Sequence, residues 1–176
     1  MTFSGNTGFG EGGVKQSGSF MFSQTTEYAM RAMACLALQP QELLATPALA
    51  KRTKVPANYL AKVLQQLAQA KLISGRRGVG GGYKLNRPAA EITLLDVIRA
   101  VARVDRITTC PLGLTNHGPN LCPLHKKVDE AAGAVIAVYE SVSLADLLSD
   151  PRSNKPLCDT EATAKLTVSM ARAAKA

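Results

Sequence analysis

Tryptophan is absent from this chain, and aromatic residues of all kinds make up only 5% of it. Hydrophobic residues nevertheless reach 46% of the 176 residues, so a core can form, and it must be largely aliphatic. A sheet sandwich usually recruits more β-branched and aromatic residues than this. We therefore expect a mainly α protein of one ordinary domain, or a small domain with an oligomerisation element.

Long apolar runs and signs of export are also missing. No stretch approaches the roughly 18 apolar residues that a membrane-spanning helix needs. The N-terminus has no basic start followed by an apolar segment, so it does not resemble a secretory signal. Four cysteines, at positions 35, 110, 122 and 158, are too unevenly spaced to suggest a disulfide framework. These absences predict a cytoplasmic protein that does not enter the membrane.

Acidic residues are missing from one quarter of the chain. The window from Leu43 to Ala90 contains no Asp or Glu, but it holds nine basic residues: Lys51, Arg52, Lys54, Lys62, Lys71, Arg76, Arg77, Lys84 and Arg87. The other 12 basic residues are balanced by all 13 acidic ones, so the formal net charge of +8 arises in this window. Such a localised field is typical of phosphate binding, although a merely solvated basic face is the alternative.

Apolar spacing and helix-start signals predict three helices in the first part of the chain. Apolar spacing predicts a first helix from Thr25 to Leu38. A short second helix is predicted from Thr46, as its N-cap, to about Lys54, with Pro47 in the first turn. A third is predicted from Pro56 to about Ala70, with an inward stripe of Leu60, Val63, Leu64 and Leu67 and an outer stripe of Asn58, Lys62, Gln65 and Gln69.

Two short helices joined by a tight turn suit a helix-turn-helix. Asn and Gln can pair with adenine in the major groove, and Lys can reach guanine or phosphate. Because every amphipathic surface helix has polar residues opposite its core, the outer stripe alone does not decide the function.

A glycine-rich hairpin is predicted after the third helix. Leu72–Arg77 and Tyr83–Leu85 read as strands, and Gly78-Val79-Gly80-Gly81-Gly82 forms the turn between them. A basic hairpin behind a recognition helix is typical of a wing, whose Arg can enter a narrow minor groove. The alternative, a phosphate-cradling loop, is disfavoured because such loops lead into a helix.

The second half of the chain carries further helix signals. Thr93-Leu94-Leu95-Asp96 predicts a capping box. A loop rich in Pro, Gly and Asn follows, from about Thr108 to Pro123. Apolar residues then recur in a heptad seam that predicts a dimerisation helix or, alternatively, a core helix: Leu124, Val128, Ala131, Val135, Val138 and Val142. Ser143 then predicts the cap of a short final helix.

Several of these segments together resemble the bacterial regulators related to the iron–sulfur cluster regulator (IscR/NsrR type, Rrf-two family). The likeness rests on Val55–Leu60 and Arg76–Tyr83. It continues through Glu91–Val101, Cys122–His125 and Ser143–Leu147, and covers roughly Met21 to Ser149. The resemblance implies a homodimer that binds a palindromic operator in double-stranded DNA. It also implies that an iron–sulfur cluster controls DNA binding in many members.

The sequence thus predicts a winged helix-turn-helix fold with a long C-terminal dimerisation helix. We expect a leader (1–20), a DNA-binding domain (21–104), a sensor loop (105–123), a dimerisation helix with a short closing helix (124–149) and a polar tail (150–176). The predicted phosphate contacts are Lys51, Arg52, Lys62 and Lys84. The predicted base contacts are Asn58, Tyr59, Lys62 and Gln65 in the major groove, and Arg76 or Arg77 in the minor groove.

In the family pattern, three cysteines six residues apart precede the dimerisation helix. Cys110 and Cys122 match the first and third, but Asn116 stands where the middle one should be. His125 falls at a family His position, and Glu27 matches a carboxylate ligand that some relatives take from the first helix. Three alternatives follow: a [2Fe-2S] or [4Fe-4S] cluster held by Cys110, Cys122, His125 and a cross-subunit Glu27, a Cys110–Cys122 thiol switch, or no sensor at all. His117 is a further possible ligand.

Two other function classes are alternatives to a repressor. The first is a winged fold that binds a protein partner, without cluster or signal sensing; the basic window counts against it. An enzyme is not expected, because no acid–base pair, nucleophile constellation or cofactor loop is recognisable.

Overall fold

The first three helices and the hairpin follow one another closely along the chain. The computed structural model describes residues 23–111, 113 and 120–149, so the expectations for the leader and the polar tail lie outside the described residues. The elements are α1 (Gln24–Ala37), α2 (Thr46–Thr53), α3 (Ala57–Gln69), β1 (Ile73–Arg76), β2 (Gly82–Leu85), α4 (Leu94–Val101), α5 (Pro123–Glu140) and α6 (Leu144–Ser149). A single 3-10 turn, Ala89–Glu91, precedes α4. The predicted mainly α fold is confirmed.

Helix α1 lies at the centre of the packing. Its first turn is capped by Ser23, whose side-chain oxygen accepts a hydrogen bond from the Thr26 amide at 3.2 Å. The predicted apolar face is buried, with Ala32, Met33 and Leu36 fully inaccessible. Helices α2, α3, α4 and α6 and strand β2 all contact α1. The orientations of α2, α3 and β2 therefore depend on this one buried face.

The turn between α2 and α3 is tight, as expected for a helix-turn-helix. Lys54 ends α2 in the left-handed conformation (φ 54°), and its amide donates to the Ala50 carbonyl. Val55 is buried, and Pro56 holds the N-cap position of α3. The expectation that Thr46 caps α2 is wrong: Thr46 is the first helical residue, and Ala45, which offers no side-chain acceptor, precedes it.

The predicted strand–turn–strand is confirmed as an antiparallel hairpin. Its register pairs Ile73 with Leu85 and Arg76 with Gly82. The base of the hairpin is also joined to the α1–α2 loop, because Leu44 and Tyr83 exchange backbone hydrogen bonds of 3.0 and 2.9 Å. A Cβ at Gly82 would lie 2.6 Å from the Leu44 carbonyl carbon, so this pairing needs glycine there. We call residues 73–85 the wing.

Two capped helix starts close the fold. The predicted capping box of α4 is present, with Thr93 and Asp96 exchanging side-chain-to-amide hydrogen bonds of 3.1 and 3.2 Å. Ser143 and Asp146 make the same exchange before α6, at 3.1 and 2.9 Å. The Leu94 amide donates to the Val142 carbonyl at 2.9 Å, so the two caps lie side by side.

Helix α5 is the longest described helix, and none of its residues is buried. Of the heptad seam, Leu124, Val128 and Val138 are exposed by 67%, 46% and 59%. The face that includes Asp129 and Ile136 is less exposed, and α5 contacts α4. Within one chain the seam is therefore not a core stripe. Among the described helices, none combines the length and the apolar character needed to cross a membrane.

Two neighbouring residues of α3 provide a test of this packing. Leu60 is fully buried, whereas Tyr59 is 55% exposed. We expect Leu60→Ala to lower the free energy of unfolding by about 2–5 kcal/mol, because it leaves a cavity in the core. Tyr59→Ala, the matched control, should change it by less than about 1 kcal/mol. Urea unfolding followed by circular dichroism measures both, and equal losses would contradict the assigned faces.

Candidate nucleic-acid interface

Helix α3 presents its predicted base-contacting residues on one exposed face. Its apolar stripe packs into the core. Asn58, Tyr59, Lys62 and Gln65 are all exposed. The structure thus brings together four side chains that can donate to or accept from base edges, on a helix whose other face is rigidly packed.

On α2, the two predicted phosphate contacts differ in their surroundings. Lys51 is exposed. Arg52 is half-buried, and its guanidinium donates to the Gln39 side-chain oxygen. Arg52 also lies beside Cys35: burial raises the pKa of that thiol, and the neighbouring guanidinium offsets part of the effect. Cys35 is a core residue, and Arg52 helps to hold α2 against α1.

The wing carries its cations on a rigid frame. Arg76, Arg77 and Lys84 are exposed. Arg76 Nη2 donates to the Gly80 carbonyl at 3.1 Å, so the first arginine braces the turn. The Arg77 side chain makes no hydrogen bond or ion pair with the residues that the structure describes. A cleft of about 420 Å³ lies between the wing and the start of α2, lined by Thr46, Arg76, Arg77 and Tyr83 among others.

A second cleft, of about 520 Å³, separates α3 from the first turns of α1. Tyr59, Lys62 and Gln65 line its α3 side, and Gln24 and Tyr28 line its α1 side. Gln24 Nε2 donates to the Tyr28 hydroxyl at 2.8 Å. These two α1 residues were not predicted from the sequence, because nothing in the local pattern shows that α1 begins beside α3.

The positive charge of this surface is little compensated. In the described ranges, no carboxylate lies within ion-pair distance of the side chains of Lys51, Lys62, Arg77 and Lys84. Of the basic window, Arg87 is paired, with Asp96 at 3.3 Å. The field that the sequence predicts is therefore open to solvent on α2, α3 and the wing, where a polyanion can approach it.

A separate group of side chains lies at the start of α5. Cys122 occupies the N-cap position, and His125 follows in the first turn. His125 Nδ1 lies 3.1 Å from the sulfur of Cys122 and 3.7 Å from that of Cys110, and both cysteines are half-buried. Two thiols and an imidazole from the predicted sensor loop thus converge on one point.

An ion pair positions the segment that leads to Cys110. Arg106 makes two hydrogen bonds to the Asp129 carboxylate, Nε to Oδ1 at 2.7 Å and Nη2 to Oδ2 at 2.5 Å. The Ile107 amide donates to the same Oδ1 at 2.8 Å. The Arg106 hydrogen bond holds the pKa of Asp129 below its usual range. A Cβ at Gly133 would lie 2.9 Å from Arg106 Nη1, so glycine leaves room for the guanidinium against α5.

The residues of one described chain do not complete an iron–sulfur site. A cluster takes four ligands, and Cys110, Cys122 and His125 supply three. Glu27, predicted as a fourth ligand from the second subunit, accepts a hydrogen bond from Arg31 Nε of its own chain at 3.0 Å. Within residues 23–111, 113 and 120–149, no group of three or more His, Cys, Asp or Glu side chains has the arrangement of a metal site. Asn116 and His117 lie outside the described residues.

Comparison with known proteins places this geometry in a family. Residues 22–150 match the model of Rrf2, described as an iron-dependent transcriptional regulator. An HTH-type transcriptional regulator of Aquifex aeolicus (strain VF5) is 28% identical over 73% of this chain and 92% of its own length. Protein aau3 of Rhizobium meliloti (strain 1021) is 30% identical, over 72% of this chain and 83% of its own.

Solved structures show the same fold. IscR of T. potens superposes with a TM-score of 0.61 at 24% identity, covering 73% of this chain and 86% of that one. CymR of Staphylococcus aureus superposes with a TM-score of 0.59 at 26% identity, covering 74% of this chain and all of the other. The family and the Aquifex relative are described as transcriptional regulators rather than enzymes. With a winged helix-turn-helix and a family match over most of its length, the chain belongs to the Rrf2 family of DNA-binding transcriptional regulators.

Proposed function

We propose that this protein is a cytoplasmic repressor that binds a palindromic operator in double-stranded DNA as a homodimer. The observation that carries the proposal is the uncompensated positive charge on α2, α3 and the wing, three elements that face outward from the core around α1. A dimer seated on a promoter excludes other proteins from it, which favours repression. The relatives are bacterial proteins, and a regulator that binds a bacterial chromosome acts in the cytoplasm, where that chromosome lies.

The proposed contacts divide by chemistry. Lys51, Lys62 and Lys84 neutralise phosphates, with Arg52 contributing from its half-buried position. On α3, the base contacts come from Asn58, Tyr59, Lys62 and Gln65, because their side chains are exposed on one face. Arg77, with Arg76 behind it, enters the minor groove from the wing.

Arg77 and Lys51 test the DNA-binding surface. We expect Arg77→Ala to weaken binding to a DNA fragment from upstream of its own gene, and Lys51→Ala to reduce the slope of log K against log salt by about one. Arg103→Ala is the matched control, because Arg103 is 96% exposed but lies outside the basic window. Fluorescence anisotropy over a range of salt concentrations measures both quantities.

Unchanged affinity and slope in both variants would contradict this surface. A wild-type protein that binds neither this fragment nor nonspecific duplex at low salt would instead favour the alternative, a winged module that binds another protein.

Dimerisation is assigned to the seam of α5. Three of its six apolar side chains are among the few large apolar side chains exposed in the described chain. They recur at heptad spacing, which buries them when a second helix packs alongside. The opposite, less exposed face of α5 is used within the chain, so the seam is free for a partner subunit.

Substitution in the seam should separate dimer from monomer. Val138→Lys places a charge in the proposed interface and should raise the dimer dissociation constant at least tenfold. Ala137→Lys is the control, because Ala137 is exposed on the same helix but lies away from the seam. Sedimentation equilibrium measures the constant, and an equal response of the two variants would contradict the assignment.

The proposed sensor is the thiol pair Cys110 and Cys122. His125 Nδ1, within reach of both sulfurs, can accept a thiol proton during oxidation. Hydrogen peroxide takes two electrons and two protons from the pair, so that the Sγ–Sγ bond forms and the peroxide is reduced to two molecules of water. Because Cys122 starts α5, the new bond ties the loop to the dimerisation helix.

Cysteine substitutions test the sensor. Peroxide should remove two thiols per wild-type chain, lower the mass by about 2 Da and change operator affinity. Cys110→Ala should abolish all three effects, whereas Cys35→Ala, which alters only a core thiol, should not. Thiol titration, mass spectrometry and anisotropy report on these changes. Iron and visible absorption in anaerobically purified protein would contradict the thiol switch in favour of a cluster.

A further inference from the structure

The tip of the wing is a four-residue turn with one side chain. The Gly81 amide donates to the Gly78 carbonyl at 3.0 Å, and Gly80 has a φ of +68°. A hydrogen bond over these four residues with positive φ at the third describes a type II turn. Val79 stands at the second position. Its side chain is the only one that the turn itself can offer to another molecule.

The turn is held rigidly at the end of the wing. Arg76 bonds the Gly80 carbonyl from the side. A Cβ at Gly81 would lie 2.2 Å from the Arg76 carbonyl oxygen, so the chain crosses closely there. At the other end of the wing, the Leu44–Tyr83 hydrogen bonds fix its base to the helical core. The position of Val79 relative to α3 is therefore set by the fold.

The side chain of Val79 is fully exposed to solvent. Its relative accessibility is 106%, so it contributes no burial to folding. Of the large apolar side chains exposed in the described residues, Tyr59 lies on the base-contacting helix and the others, Leu124, Val128 and Val138, lie on the α5 seam. The other four thus lie on faces proposed to bind DNA or a second subunit. Val79 is the one such residue left without an assigned partner.

We propose that Val79 packs its isopropyl group against the deoxyribose walls of the minor groove and thereby selects narrow, A·T-rich DNA beside the major-groove site. This rests on the proposed DNA-binding function. Arg77, two residues away, is drawn by the strong negative potential of a narrow groove. An isopropyl group touches both sugar walls only where the groove is narrow, and the guanine amino group would obstruct it.

The proposal makes the wing a shape-reading element with two separable parts. Removing a cation from the wing releases fewer counterions, so it lowers the salt dependence of binding. Removing an apolar contact changes affinity without changing the number of neutralised phosphates. Val79 and Arg77 therefore leave different signatures in the same titration.

The test uses duplexes that the full-length wild-type protein selects from a random-sequence pool. We expect Val79→Ser to weaken binding to a selected duplex about five- to twentyfold, with an unchanged salt slope and unchanged affinity for nonspecific duplex. Val79→Ile should retain binding, whereas Arg77→Ala should lower both affinity and slope. Because Val79 is fully exposed, urea unfolding of the variants should match wild type.

A base analogue locates the contact. Replacing adenine by 2,6-diaminopurine at the positions protected by the wing adds an amino group to the minor groove and leaves the major-groove edge intact. Wild type should lose affinity for this duplex, and Val79→Ser should lose much less. Equal affinity of Val79→Ser and wild type for the selected duplex, while Arg77→Ala weakens, would overturn the role of Val79. A wild-type protein that selects no duplex would overturn the DNA-binding function itself.

Discussion

Close packing around α1 is the constraint on which the rest of the structure depends. Its buried face includes Ala29 and Ala32, both fully inaccessible, and these small side chains let neighbouring helices approach closely. Closely packed protein interiors have low compressibility, so a displacement of one element is transmitted to its neighbours. The directions of α2, α3 and β2 are thus set together by one face. The proposed base contacts on α3 and groove contacts on the wing can be in register with the same duplex only because of this shared support.

Local chemistry explains why much of this fold could be predicted. Apolar spacing reports which face of a helix is buried, so α1 and α3 were predicted to within a residue or two at each end. Side-chain caps are equally local, and the Thr93 capping box is present. The prediction that Thr46 caps α2 was wrong, because Ser and Thr also occur inside the first turn of a helix. The glycines predicted the wing. Its backbone pairing with Leu44 could not be predicted, because backbone hydrogen bonds leave no pattern in the side chains.

Helix α5 shows what a heptad pattern reveals and what it hides. The apolar seam was evident because apolar residues recur at alternating spacings of four and three. The role of the second face of α5 could not be predicted. Asp129 binds an arginine from a distant segment, and Gly133 leaves room for that arginine. A 23-residue separation between Arg106 and Asp129 carries no periodic signal. As a result, the sequence identified the thiols and His125 as candidates but not the ion pair that brings Cys110 towards α5.

Charge and shape have different tasks on the proposed DNA surface. Counterion release depends on the number of phosphates neutralised and not on base sequence, so the basic window supplies affinity for any duplex. Discrimination must come from the groups proposed to reach bases and grooves: Asn58, Tyr59, Lys62 and Gln65 on α3, and Arg77 with the apolar tip of the wing. Those groups discriminate only if held in place, because a mobile side chain can adapt to many sites. The two elements hold their contact groups in place by different means. On α3, the side chains are fixed because the apolar stripe packs into the core. On the wing, Val79 is fixed because the glycine turn allows the backbone few other conformations.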